Sequence, residues 1–75
     1  MKTQYKFIEF RPVSRAKTEK PLWAVANRRH KDLLGHIIWA SGWKQYVLEP
    51  ELDTYWSSDC LADVQNFIGQ LKEQM

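Results

Sequence analysis

The run LLGHIIWASGWKQYVLEP, residues 33–50, is the stretch on which the fold turns. Residues 33–39 are rich in β-branched and aromatic side chains, Ala40-Ser41-Gly42 breaks the run, and a second β-forming run over 43–49 ends at Pro50. Two such runs divided by a short loop ending in glycine read as an antiparallel hairpin, with that glycine at positive φ. Alternation then puts Trp43, Gln45, Val47 and Glu49 on one side and Lys44, Tyr46 and Leu48 on the other. Gly35 inside the first strand marks a bulge or the close approach of a neighbouring side chain such as a tryptophan. Trp39 and Trp43 flank the loop and are expected to pair across it, a contact worth about 0.5–1.5 kcal/mol beyond area burial. In the alternative, one of the two projects as an interface anchor.

Working outward, QYKFIEFRP over 4–12 alternates Tyr5, Phe7 and Glu9 with Lys6, Ile8 and Phe10 and reads as a first strand ended by Pro12. Residues 14–21 are polar and charged, a solvated loop. The apolar run at 22–28 is a second strand, and the charged residues 28–32 form the turn into the third. Residues 53–56 are a candidate fifth, very short strand. Ser57-Ser58 before Asp59 then opens a helix over 58–73. Leu61, Val64, Phe67, Ile68 and Leu71 make its apolar stripe, and Gly69 is expected to let it sit close on an aromatic of the sheet. The fold class is α+β: an antiparallel meander of four or five strands packed against one C-terminal helix, in one domain.

Seventy-five residues is a small core, since a chain of this size buries only about 60% of its unfolded surface. A single cysteine, Cys60, excludes an internal disulfide framework, and with only His30 and His36 as further soft ligands no metal or other cofactor is expected. Four Trp, three Tyr and three Phe supply the apolar mass instead. The N-terminus lacks a signal peptide's apolar region, no run is long enough to span a membrane, and an unpaired cysteine fits a reducing compartment, so the expected location is cytoplasmic. Charge is uneven: residues 1–44 carry about +7 and residues 45–75 about −5. Either the halves attract each other across the fold, or the basic part meets a partner.

The run Gly35-x-Ile37-x-Trp39, Trp43-x-x-Tyr46-x-Leu48-x-Pro50, Trp56 and the helix from Cys60 to Leu71 resembles a pattern in small uncharacterised phage and prophage proteins. The resemblance spans about residues 22–72, and the two-tryptophan hairpin is its most specific part. Leu48 stands where an aromatic is expected. It implies a phage-type accessory protein with a β-rich fold and one helix, and carries over no activity, ligand or catalytic residue.

Catalysis has little to stand on. Cys60 lies at a helix start, where a thiol is activated, but no glycine-rich oxyanion loop or carboxylate cluster accompanies it, and Asp59 and Asp63 serve the helix dipole. His36 reads as a hydrogen-bonded strand histidine. The chain is therefore expected to be no enzyme but a small binding module, acting through a host or phage protein and modulating host machinery or defence. The alternative is a nucleic-acid-binding accessory protein that uses a basic loop and turn. The contact residues proposed for the two are Arg11, Arg15, Lys17, Lys20, Arg28, Arg29, Lys31, Trp39 and Trp43, with the basic ones falling into two patches at opposite ends of the sheet. A homodimer formed by edge strands or by the open sheet face is compatible with both.

Overall fold

Four alternating stretches pair in chain order, as short connections between consecutive strands favour. The computed structural model describes residues 1–13 and 20–74. Its elements are β1 (Ile8–Val13), β2 (Leu22–Asn27), β3 (Leu33–Ala40), β4 (Gln45–Pro50) and α1 (Ser58–Glu73). The strands form one antiparallel sheet of order β1-β2-β3-β4. The α+β meander with one C-terminal helix is therefore the architecture of this chain.

The helix begins where its cap is. Ser57 has extended backbone, and its Oγ accepts the N–H of Cys60 at 3.1 Å, satisfying one of the donors a helix start leaves free. Val64, Phe67 and Leu71 are buried, whereas Leu61, expected in the same stripe, is exposed. Phe67 is the centre of the core: its ring stacks on Phe10 at 4.0 Å between centroids and meets Trp23 edge-on at 5.0 Å. Ile8, Phe10, Val25, Ile37 and Tyr46 complete the sheet's contribution, joined by Tyr5. The opposite sheet face contributes nothing to this cluster.

Several expectations need correction. The first strand starts at Ile8, not at residue 4, because the chain before it doubles back. Gln4 bridges Glu9 antiparallel, Tyr5 N–H donates to the Ile8 carbonyl at 2.9 Å, and Phe10 N–H donates to the Thr3 carbonyl at 2.8 Å. Tyr5 and Ile8 both turn into the core as a result. The β3–β4 loop holds residues 41–44 rather than 40–42. Trp43 N–H donates to the Ala40 carbonyl at 3.1 Å, and Lys44, not Gly42, takes the positive φ, at 54°. One extra loop residue moves Trp43 off the strand, so it stands 73% exposed and Trp39 pairs edge-on with Tyr46 at 5.2 Å instead.

Gly35 does mark a bulge, between Val25 and Ala26 of β2, but what approaches it is the β4 backbone rather than a side chain. At Gly69 the space is open, so no aromatic requires that glycine. Residues 53–56 form no strand. Asp53 sits at φ 59°, Thr54 Oγ1 donates to the Glu51 carbonyl, and Trp56 Nε1 donates to Thr54 Oγ1, a side-chain-held turn into the helix. Among the described residues, no helix is long and apolar enough to cross a membrane.

Candidate functional site

Asn27 ends β2 and builds the turn that follows. Its Oδ1 accepts the backbone N–H groups of Arg29 and His30, each at 2.9 Å. The Lys31 N–H donates to its carbonyl at 2.7 Å, its own N–H donates to the Asp32 carbonyl, and Lys31 closes the turn at φ 65°. Asparagine suits this position because a short amide side chain can replace backbone partners two and three residues on. Arg28, Arg29 and His30 are consequently presented together, all exposed.

Beside this turn lies the tip of the N-terminal reversal, Lys6 and Phe7. Two bonds clamp the tips together: Arg28 N–H donates to the Phe7 carbonyl at 2.8 Å, and Arg28 Nη1 donates to the Tyr5 carbonyl at 2.9 Å. Between them opens a cleft of about 550 Å³ lined by Lys6, Phe7, Asn27, Arg28, Arg29 and His30. Phe7 is 48% exposed in it, and Lys6 Nζ lies 5.3 Å from its ring centroid, within cation–π range. A half-exposed phenyl ring with one cation over it, in a cleft lined by further cations, suits a flat, anionic ligand.

The cations here are available. Among the described residues, Lys6, Arg28, Arg29 and His30 belong to no ion pair. Arg11 and Lys31 are engaged differently: both bind Glu9, Lys31 at 3.1 Å, and Glu9 is left 4% exposed. The Lys31 ammonium, opposed by burial and reinforced by Arg11, holds the Glu9 carboxyl below the usual carboxylate range. Glu9 thus takes two cations of its own, basic half of the chain.

The expected contact residues accordingly separate. Arg28 and Arg29 line the cleft; Arg11 and Lys31 lie on Glu9; Arg15 and Lys17 fall outside the described residues. At the opposite end of the sheet, Lys20 Nζ sits 5.0 Å from the half-buried Trp39 ring, and Trp43 projects from the β3–β4 loop. Two separated basic regions were expected, and the turn at 28–31 does lie at the other end of the sheet from Lys20. Lys6, Phe7, Asn27 and His30 were not foreseen as site residues. Asn27 ahead of Arg28-Arg29-His30 carried a turn signal, but nothing local distinguishes Phe7 from an ordinary strand residue.

Cys60 is half-buried against the core margin, and His36 sits on the uncovered sheet face. Among the described residues, no three His, Cys, Asp or Glu side chains are grouped to hold a metal ion. Comparison with family models, with curated proteins and with solved structures returns no match to this chain.

Proposed function

We propose that this chain is a small non-enzymatic module that binds single-stranded nucleic acid, an accessory role of the kind its resemblance to phage and prophage proteins implies. The observation that carries the reading is Phe7, half-exposed between unpaired Lys6, Arg28 and Arg29. Cations attract and register phosphates, while an open aromatic face stacks an unpaired base and accepts any sequence. A duplex hides its base faces, so the ring favours a single strand.

The test is anisotropy of a labelled oligothymidine titrated at several salt concentrations. Three phosphate contacts give a slope of log K against log salt near −2. Phe7→Ala weakens binding roughly five- to a hundred-fold at unchanged slope, the range of one base–aromatic stack. Arg29→Ala reduces the slope by about 0.7. Absence of binding at low salt, or indifference to both substitutions, overturns the reading.

A protein partner, from host or phage, is the second reading, favoured by Trp43 at the loop tip, since exposed tryptophans dominate protein-binding hot spots. Its support is narrower than composition suggested, because Trp23, Trp39 and Trp56 pack against the core. Trp43→Ala separates the two: it leaves oligonucleotide affinity unchanged and abolishes capture of a partner that survives nuclease treatment.

A further inference from the structure

The sheet face turned away from α1 has an apolar centre and a charged rim. Leu22, Ala24, Ile38 and Val47 lie on it, half-buried by their in-sheet neighbours, and none belongs to the core cluster or packs against it. A solvated antiparallel face is normally polar. An apolar centre inside a polar rim is instead the anatomy of an interface.

Cross-strand register arranges this face in an ordered way. One row reads Arg11, Ala24, His36, Glu49 across β1, β2, β3 and β4. It runs from Arg11, which together with Lys31 outnumbers the single Glu9 carboxylate that both hold, to the anion Glu49, with a small and a large residue between. Next along the strands, Val13 pairs with Leu22 and Ile38 pairs with Val47. When a second copy is stacked on this face by a two-fold axis parallel to the strands, β1 lies over β4 of the other copy. The first row then meets itself reversed: Arg11 faces Glu49 of the partner subunit, and Ala24 faces His36 of the partner subunit. Opposite charges meet, small meets large, and the apolar pairs meet their own image. Face-packed sheets lie about 10 Å apart, a gap an arginine and a glutamate close from both sides.

We infer that this face is a two-fold homodimer interface and that its occupant is a second copy of the chain. Edge pairing is a poorer route on the β1 side, where residues Thr3 and Gln4 already cover part of the edge and Pro12 lacks a donor. Four strands about 4.8 Å apart make a patch of roughly 400 Å² per copy, and about 1,000 Å² for the pair once relief is counted. That is the size of weak or transient interfaces, so the dimer is a reversible one.

Sedimentation velocity on the full chain, free of nucleic acid, from about 10 µM to about 1 mM spans the dissociation constants such an area allows. The expected result is a monomer–dimer equilibrium within that range. Glu49→Arg, which sets arginine against Arg11 of the partner subunit, and Ile38→Lys each raise the dissociation constant at least about tenfold, with unchanged far-ultraviolet circular dichroism. Glu49 is exposed and outside the core, so its substitution decides the matter even where Ile38→Lys unfolds the chain. A strict monomer at the highest concentration overturns the inference, and so does a dimer that survives Glu49→Arg.

Discussion

Substituting alanine at Gly35 and at Gly69 should move stability in opposite directions, and the reason is geometric. A Cβ at Gly35 would lie 2.7 Å from the Glu49 carbonyl oxygen and 3.1 Å from Pro50 Cα, both backbone atoms of β4. Ordinary contact begins at 3.4 Å, so β4 must retreat by several tenths of an ångström at its last paired residues. Side chains cannot relieve this by changing rotamer. Overpacking of this kind costs about 1–3 kcal/mol. In a domain whose whole stability is on the order of 4–11 kcal/mol, that is a large fraction. A domain of this size loses about 4–8 °C of Tm per kcal/mol, so Gly35→Ala should melt roughly 5–20 °C lower. At Gly69, half-buried on α1, nothing lies within 4 Å of the added methyl group. There, alanine's better helix propensity and the stiffer unfolded chain should add about 0.5–1 kcal/mol. Urea unfolding followed by tryptophan fluorescence measures both variants against the parent. If Gly35→Ala is as stable as the parent, β4 does not pack on Gly35 as described. If Gly69→Ala is destabilised, α1 meets something at that position.

Ser57→Ala should cost about 1 kcal/mol, because it removes the acceptor for the Cys60 N–H; a urea midpoint equal to the parent's would show the cap to be inert. Glu9 makes a pH prediction: its carboxyl is held below its unfolded value, so its contribution is present above that unfolded value. That stability is lost as pH falls through the lower folded value, and Glu9→Gln should flatten this acid limb of the urea midpoint; an unchanged limb would refute the assignment. Asn27→Ala removes the acceptor that holds the N–H groups of Arg29 and His30, and should weaken oligonucleotide binding while both arginines remain. Unaltered affinity in that variant would show that the turn needs no side-chain support.

Much of the fold was legible because its signals are local. Alternation over 22–27 and 33–40, a serine ahead of a 3.6-residue period, and proline at strand ends each act within a few residues of themselves. The meander followed from short connections. The helix bounds, 58–73, and three of the four strands lie where the residue pattern puts them, within about two residues. The failures all involve distance. Whether Trp43 belongs to strand or loop depends on one residue of loop length, and a one-residue change flips each side chain to the other face. The reversal at Lys6 and Phe7 is stabilised by Tyr5, which enters a core made mostly of residues far along the chain, Phe67 among them, and donates its hydroxyl to Asn66 Oδ1. Gly35 needs its lack of a side chain because of Glu49 and Pro50, which lie on another strand.

The sequence by itself therefore determined the class of fold, the helix and its cap, the turn at 28–31 and the presence of unevenly placed charge. Tertiary structure alone decided which charges are free. Packing ties Arg11 and Lys31 to Glu9, while one backbone bond and one from the Arg28 side chain seat Phe7 beside Arg28 and leave Arg29 open. It also decided that Arg11, Ala24, His36 and Glu49 share one row. That depends on register across four strands, a quantity summed over every loop between residues 11 and 49 and written in no single segment.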